Sequence, residues 1–304
     1  MLKLIARRII VAILIFIVVS IITFTLLRAS GDPAAALAGQ NATARDIEYI
    51  RKYYGFDRPL IVQYFGWAKK AITGDFGRSI YLQTQVTDVI RRYAPVTLKL
   101  GMLALGFAII VAIPLGILSA THVNSLVDRI SLTFAVIGQG APSFWYGLLL
   151  IIFFGVRLKI LPISGSDTWL HYILPTVTLG YTAVPSIMRL TRSGMLDVLS
   201  SDYIRTARAK GLKPPSVILK HALRNAAIPV VSVSAVQLGR MLSGSILIEI
   251  VFTLNGLGRL AWASISRSDF EVMQAIVLIM AVFYIIANLL ADILNALLDP
   301  RIRI

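Results

Sequence analysis

The sequence predicts an all-α membrane protein with six transmembrane helices and a helical extracytoplasmic segment after the first of them. Three observations support this fold class. The 304 residues are 57% hydrophobic and only 15% charged, whereas a soluble domain carries about 25% charged residues. Apolar runs of about 20 residues, long enough to cross a bilayer as helices, recur along the chain. The 30 basic residues outnumber 15 acidic ones and lie between these runs, as in loops that flank a membrane.

Six segments have the length and apolar composition of membrane spans. The first follows a basic N-terminus, as a secretory signal would, but its apolar run of 19 residues exceeds the usual ~7–15 and suits an uncleaved span. The fourth is short and contains Pro175, Gly180 and Pro185, breaks that neighbouring helices in a bundle can tolerate. The six predicted spans are residues 9–27, 96–121, 130–156, 172–188, 228–251 and 272–298.

The distribution of basic residues predicts that both chain termini face the cytoplasm. In that orientation the cytoplasmic segments carry 14 basic residues, eight of them in 189–227. Ten more basic residues lie outside in 28–94, but loops longer than about 60 residues cross a membrane largely regardless of charge. The short outer loops hold only Arg157, Lys159, Arg259 and Arg267.

The long outer segment is predicted to form short helices packed on the outer face of the bundle. Apolar and aromatic residues recur there at helical spacing, and glycine-containing turns separate them. The chain is therefore predicted to divide into 1–94, the first span with this segment, and 95–304, five spans with a cytoplasmic loop at 189–227. The predicted turns are Gly31-Asp32-Pro33, Gly55-Phe56-Asp57-Arg58-Pro59 and Gly74-Asp75-Phe76-Gly77.

Composition excludes several kinds of site. The chain has no cysteine, which rules out disulfides and thiolate-bound metals. Its three histidines lie on different loops and on both sides of the predicted membrane, so they predict no metal centre and no catalytic arrangement. The basic residues are spread between apolar runs rather than gathered on one soluble module, which argues against nucleic-acid binding.

The cytoplasmic segment between the fourth and fifth spans is predicted to contain two short helices. Ser201 or Asp202 can cap the first, which runs to about Lys210, and Gly211 suits the left-handed position after its end. A turn at 213–216 begins the second helix, which is predicted to end before Pro229.

The residues of this segment allow three interpretations. Its charge is sufficient for a solvated basic loop that only fixes topology. A helix-turn-helix beside basic residues could also suggest DNA, but a loop held against a bilayer could not enter a groove. We favour a surface on which a partner protein docks. The apolar side chains that such a surface would use are Tyr203, Ala207, Leu212, Val217, Leu219 and Leu223.

Three stretches of the segment carry a family resemblance: Asp202-Tyr203-Ile204-Arg205-Thr206-Ala207-Arg208-Ala209-Lys210-Gly211-Leu212, His221-Ala222-Leu223-Arg224-Asn225 and Ile228-Pro229. Together they resemble the Glu-Ala-Ala loop of binding-protein-dependent ABC importer permeases. Arg205-Thr206-Ala207 stands where the general family has Glu-Ala-Ala, and Gly211 matches its glycine. This departure, and the longer stretch to Pro229, resemble the dipeptide/oligopeptide/nickel branch.

Further motifs extend the resemblance over nearly the whole chain. The three predicted turns of the outer segment, with the residues that follow them, are similar to that branch. Other matching stretches are Ser143-Phe144-Trp145-Tyr146-Gly147-Leu148-Leu149-Leu150, Leu161-Pro162, Glu249, Val251-Phe252, Gly256-Leu257-Gly258-Arg259-Leu260 and Asp299-Pro300-Arg301-Ile302-Arg303.

The resemblance implies the type I ABC importer permease fold and one half of a translocation pathway in a bacterial cytoplasmic membrane. The implied partners are a second homologous permease, two ATP-binding subunits and an extracytoplasmic solute-binding protein. No Gly-x-x-x-x-Gly-Lys-Ser/Thr loop occurs in the sequence, so ATP and Mg²⁺ would be bound by the partner ATPase and the chain is not expected to be an enzyme. The implied ATPase-coupling residues are Tyr203, Arg205, Thr206, Ala207, Gly211 and Leu212.

Gln237 and Arg240 are candidates to line the pathway. They lie three residues apart on the fifth predicted span and therefore share a face. A charge at that depth is costly unless it meets water or a partner, which favours a water-filled pathway. A misplaced span boundary, or an arginine bound to backbone carbonyls, would also explain Arg240.

Alternatives remain for both the mechanism of transport and the transported solute. An ion-coupled secondary transporter is the competing class, although the clear spans hold few acidic residues for coupling. An intramembrane enzyme is disfavoured because no paired aspartates or Ser/His arrangement lies in the spans. The resemblance covers dipeptides, oligopeptides, glutathione, nickel and some sugars. We expect a permease for peptides or related small solutes, with nickel or glutathione as alternatives.

Overall fold

The computed structural model describes residues 2–39 and 41–298, and it is built from helices. Within these ranges no β-strand forms, and one isolated bridge joins Arg78 to Gln85. The predicted all-α fold class is confirmed. The motif at 299–303, including the C-terminal Arg301 and Arg303, lies outside the described residues.

Within the described residues, four helical segments are long and apolar enough to cross a membrane. The helix α1 (Leu2–Ser30) contains the first predicted span, and α5 (Val86–Thr121) contains the second. The fifth lies in a helical segment that runs without a break over Pro214–Val251, and the sixth in α14 (Phe270–Leu298). Each helix extends beyond its predicted span because the polar residues at its ends continue the helix past the apolar run.

The third predicted span is broken in the middle. Residues 130–156 were expected to form one helix, but α6 (Leu126–Gly140) ends at Ala141, whose backbone is extended at φ −130° and ψ 156°. Pro142 explains the break, since proline disfavours the helical conformation at the preceding residue and has no N–H to donate. A second helix, α7 (Ser143–Leu150), follows and continues as a π-helical turn over Ile151–Arg157. The prediction of an unbroken span is therefore wrong.

The fourth predicted span is interrupted, as its glycine and prolines indicate. A 3₁₀ turn (Trp169–Tyr172) leads into α8 (Ile173–Tyr181), and α9 (Val184–Leu199) begins after a two-residue gap. Gly180 packs directly on α5, because a Cβ placed there would lie 2.5 Å from the carbonyl oxygen of Ala104. Only glycine permits this approach, which covers the backbone near the interruption.

Short helices form in the outer segment, as predicted. They are α2 (Pro33–Ala38), α3 (Ala44–Tyr54) and α4 (Leu60–Ile72). Thr43 and Asp46 form a capping box at the start of α3, and Gly55 ends it in the left-handed conformation with φ 71°. Tyr64 packs against Phe24 of α1 with ring centroids 5.6 Å apart, and the hydroxyls of Tyr64 and Ser20 lie 2.8 Å apart.

Two compact units divide the described chain. The N-terminal unit comprises Ala6–Thr97 and Asn255–Ile285, and the central unit comprises Leu98–Leu254 with the described residues before Ala6 and from Ile286 onward. In the N-terminal unit the short helix α13 (Leu257–Ser266) and the starts of α5 and α14 share an apolar core. Its buried residues include Val86, Leu257 and Val272. Asp269 accepts a hydrogen bond from Ser79 at 2.5 Å, and burial raises the pKa of its carboxyl group.

A buried ion pair joins three helices of the central unit. Arg192 of α9 donates two hydrogen bonds to Asp128 of α6, at 3.0 and 2.9 Å, and Ser119 of α5 donates a third. The Arg192 guanidinium holds the pKa of Asp128 below its usual range, although desolvation opposes this shift. The carboxylate contributes stability above the unfolded-state pKa of about 3.9, and this contribution is lost as the pH falls.

Replacing Arg192 with Met should lower the free energy of unfolding by about 3–5 kcal/mol, because the buried carboxylate of Asp128 then loses its charge partner. The double variant Asp128→Asn/Arg192→Met should recover part of this loss. Thermal unfolding of the detergent-solubilised protein measures both effects. Arg205→Met is the matched control, since Arg205 pairs with Asp202 on the surface. Equal unfolding of Arg192→Met and the control would show that the pair does not hold these helices together.

Candidate functional site

The first helix of the predicted cytoplasmic segment is α10 (Asp202–Ala209). Ser201 occupies the capping position, but its hydroxyl donates to the carbonyl of Val198 at 2.6 Å and makes no side-chain cap. Ser201 is therefore the N-cap residue, as predicted, but without the side-chain hydrogen bond that usually accompanies that position. The local bonds are instead the Thr206 hydroxyl to the Asp202 carbonyl at 3.0 Å and the exposed Arg205–Asp202 pair at 3.3 Å.

Gly211 ends the first helix in the predicted left-handed conformation. Its φ is +74°, and its N–H donates to the carbonyl of Arg208 at 2.9 Å. A Cβ placed at Gly211 would meet no atom of this chain within 4 Å. The backbone at this position is thus open on the surface.

The second helix of the segment continues into the fifth span. It begins as α11 (Pro214–Ser216), widens into a π-helical turn (Val217–Ala222) and proceeds as α12 (Leu223–Val251). The prediction that it ends before Pro229 is wrong, because Pro229 lies inside α12. Packing outweighs the cost of proline here: Ala226 and Val230 on either side of it are buried, and Ala226 lies against Gly194 of α9.

An apolar core holds α10 and the start of the second helix on the central unit. Ile204 and Ala207 are buried together with Val217 and Ala222, against Met195 of α9. A hydrogen bond of 2.8 Å from the Asn225 side chain to the Tyr203 hydroxyl also joins the two helices. The two helices, with the turn at Gly211, span residues 202–225, which we call the cytoplasmic element after the side of the membrane predicted for it.

The exposed face of the cytoplasmic element is apolar and basic. Tyr203, Leu212 and Leu219 are 44%, 39% and 58% exposed, whereas Ala207 and Val217 face the chain's own core. Ala207 and Val217 are therefore not available to a partner, contrary to what their apolar spacing suggested. The exposed basic residues of the face are Arg205, Arg208, Lys210, Lys213 and Lys220.

Gln237 and Arg240 line one groove of about 420 Å³ between α9 and α12. Gln237 is buried and Arg240 is exposed. Arg189 lies across the groove on α9, where it donates to Gln139 at 3.2 Å. Two guanidinium groups thus face a groove that no acidic residue lines within the described part of the chain.

Sequence reasoning missed the α9 side of this groove. It counted Arg189 only as one of the basic residues that set the topology. The available signal was the spacing of Ser186, Arg189, Leu190 and Ser193, which places all four on one helix face.

Comparison with known proteins identifies the chain. The family described as "Binding-protein-dependent transport system inner membrane component" matches residues 112–304, and its N-terminal counterpart matches residues 1–101. The chain belongs to this family. It is therefore a permease subunit of an ABC importer and a multi-pass protein of the inner membrane. The predicted family, fold and general function are confirmed.

Similar permeases cover the whole chain. The glutathione transport system permease protein GsiC of Escherichia coli (strain K12) is 42% identical over 305 residues, which is 100% of this chain and 99% of the relative. The GsiC protein of Pectobacterium atrosepticum is 42% identical over 304 residues, 100% of this chain and 97% of the relative. A permease of this type works with a separate ATPase, which hydrolyses ATP, and with a binding protein.

Solved structures support the permease fold independently. Two inward-facing structures of the MetNI methionine ABC transporter match this permease with TM-scores of 0.57 and 0.59. Each match covers 69% of this chain and 96% of the other chain, at 18% and 16% sequence identity. The likeness shows that the two share a fold.

Replacing Ala207 with Leu should destabilise the packing of α10 on the central unit by about 1–3 kcal/mol, because three extra carbon atoms must enter a filled core. The neighbouring Thr206 is exposed, so Thr206→Leu adds the same side chain without this effect. Limited proteolysis of the purified permease, read as the cleavage rate within 202–225, measures the difference. Equal cleavage rates for the two variants would contradict the packing described here.

Proposed function

We propose that this permease forms one half of the translocation pathway of an ATP-driven importer for small peptides, with glutathione as the first candidate cargo. One observation carries the mechanism: the exposed cytoplasmic element is continuous with the fifth span through the unbroken helix Pro214–Val251. A rigid helix that is docked at one end moves the bundle at the other. Hydrolysis in a docked ATPase would therefore act directly on the pathway.

The docking surface on the ATPase side is the exposed face of the cytoplasmic element. Tyr203 and Leu212 provide apolar contacts, and Arg205 and Thr206 provide polar ones. The open backbone at Gly211 permits a partner's close approach. Ala207 belongs to the same loop but acts by seating α10 on the permease.

The assembly follows from the incomplete pathway of one chain. A second homologous permease supplies the other half, two ATP-binding subunits dock on the cytoplasmic elements, and an extracytoplasmic solute-binding protein delivers cargo. ATP and Mg²⁺ are bound by the ATPase and not by this chain. Both termini face the cytoplasm, with 1–94 holding the first span and outer segment and 95–304 holding the pathway and the loop 189–227.

The groove of Gln237 and Arg240 lines the pathway in this proposal. Its two arginines have no acidic neighbour in the lining, and a guanidinium at this depth requires water or a ligand. A peptide carboxylate suits this lining. The glutathione cargo of the GsiC relatives is a peptide with such groups, and nickel is the alternative cargo within the branch.

Replacing Gly211 with Asn should abolish transport by the assembled transporter without unfolding the permease. Asn tolerates a left-handed backbone, so the change mainly adds bulk where the ATPase approaches. We expect ATP-dependent uptake of radiolabelled glutathione and dipeptides into proteoliposomes to fall by about tenfold or more, a docking loss of at least ~1.4 kcal/mol.

Gly74→Asn is the matched control, since Gly74 also has φ +84° and an open Cβ position but lies in the outer segment. It should transport normally. Normal uptake by Gly211→Asn would refute the docking role, and wild-type uptake that persists without ATP would refute the importer itself. If the transporter takes up nickel and not peptides, nickel is its cargo.

Replacing Arg240 with Met should lower peptide uptake by about tenfold, a loss of ~1.4 kcal/mol, while assembly with the ATPase remains intact. The expected cause is the loss of a cationic contact inside the pathway. Arg92→Met is the control, because Arg92 is exposed on α5 and belongs neither to the groove nor to the cytoplasmic element. If both variants transport like the wild type, Arg240 has a role in helix packing and does not line the pathway.

A further inference from the structure

The N-terminal unit contains a second cavity, separate from the groove of Gln237 and Arg240. Its volume is about 710 Å³, within the range of small-molecule sites. The end of α1, the helix α4, the turns on either side of α4 and the start of α14 enclose it. Phe56, Trp67 and Phe76 contribute aromatic walls. None of the transport steps described above uses this cavity.

Three residues that line the cavity bear buried polar atoms that make no hydrogen bond in the described part of the chain. These atoms are Nη1 of Arg28, Oε1 of Gln63 and Oε2 of Glu271. A buried polar atom without a partner costs about 1–3 kcal/mol, and more if it is charged. Three such atoms around one cavity therefore point to something that occupies it.

Two of the three side chains are held in place by contacts with neighbouring groups. The Arg28 guanidinium carbon lies 5.2 Å from the ring centre of Phe24 and 4.7 Å from that of Phe56. Gln63 donates through Nε2 to the carbonyls of Phe56 and Arg58, at 3.0 and 2.8 Å, which leaves its Oε1 as the free acceptor.

Gly77 leaves room for the side chain of Glu271. This glycine has φ +86°, and a Cβ placed on it would lie 3.2 Å from Cγ of Glu271. A side chain at this position would strain the backbone and crowd the glutamate. Arg28 and Gln63 are held by neighbouring groups before any ligand arrives, which lowers the entropic cost of binding.

The charges of these groups select the chemistry of the ligand. Both signs of charge line the cavity: Arg28, Arg58, Lys70 and Arg78 are basic, and Asp75 and Glu271 are acidic. The three unpartnered atoms are a guanidinium nitrogen, a carboxylate oxygen and a neutral amide oxygen. A simple anion would satisfy Arg28 but would offer no donor to Glu271 or Gln63, and a simple cation would be repelled by the four basic side chains. A ligand with both charges satisfies all three groups.

We propose that this cavity is a binding site for a small zwitterion of the amino-acid or short-peptide class. The ligand's carboxylate accepts from Arg28, and its ammonium group donates to Glu271 and Gln63. The aromatic walls contact the remainder of the ligand. Binding itself does not depend on the proposed cargo, whereas exposure of the site to the outside of the membrane rests on the orientation proposed above.

Binding to the assembled transporter in lipid nanodiscs, without its solute-binding protein, tests the site directly. Three probes are compared by isothermal titration: glycylglycine, glycylglycinamide, which lacks the carboxylate, and N-acetylglycylglycine, which lacks the ammonium group. Glycylglycine should bind with a dissociation constant below about 1 mM, and each blocked probe should bind about tenfold more weakly.

Two substitutions should separately remove the preference for a free carboxylate and the preference for a free ammonium group on the probe. Arg28→Met should reduce glycylglycine binding to the level of the amide, whose own binding stays unchanged. Glu271→Gln should reduce it to the level of the acetylated probe. A purely structural defect would weaken all three probes equally. Arg91→Met and Glu48→Gln are the controls, because both residues are exposed, pair with neighbours on their own helices and do not line the cavity.

Equal binding of the three probes to the wild type would overturn the proposal, as would no binding at concentrations up to about 10 mM. Equal binding would mean that the cavity does not distinguish the two charged groups, and no binding would mean that water alone fills it. If a variant fails to assemble, the three probes are compared on Arg240→Met: unchanged selectivity would place the binding at the cavity, and lost selectivity would place it at the groove of Gln237 and Arg240 and overturn the proposal. Glutathione uptake, measured on the same preparation, reports the transport function separately.

Discussion

Close packing of α9 on α12 is the contact on which the functional parts of the central unit depend. At Gly194 a Cβ would lie only 3.1 Å from the carbonyl oxygen of Ala226, so a larger residue would push the helices apart. On one side of this contact lies the core that seats α10, and on the other lies the groove of Gln237 and Arg240. Small residues that allow backbones to meet are a common way to join helices where no water is present to drive association.

Much of the fold could be predicted from the sequence because apolar length and glycine-containing turns are local signals. The long helices and the three outer helices all follow from them. The errors occurred at prolines. Pro142 breaks a helix that its apolar neighbours would continue, whereas Pro229 lies inside a helix that it was expected to end. The difference lies in tertiary packing around Ala226 and Val230, which a single sequence does not display.

The candidate site could be predicted only in part, for a similar reason. Gly211 was identified because its position after a helix requires a left-handed backbone. Ala207 shares the apolar spacing of its exposed neighbours, and only the fold shows that it faces inward. The cavity near Arg28 joins residues that are far apart in the chain, and no local pattern relates Arg28 to Glu271.

The π-helical turn at Val217–Ala222 lies between the exposed face of the cytoplasmic element and the membrane span. A π turn contains about one residue more than an α turn, so one residue is inserted into the helix at Val217–Ala222. Moving that residue along the helix by one step re-registers only the residue that it passes, by about 100° of rotation and about 1.5 Å of rise. The helix between the exposed face and the span can therefore change which side chains it presents at this turn while the helix on either side keeps its position.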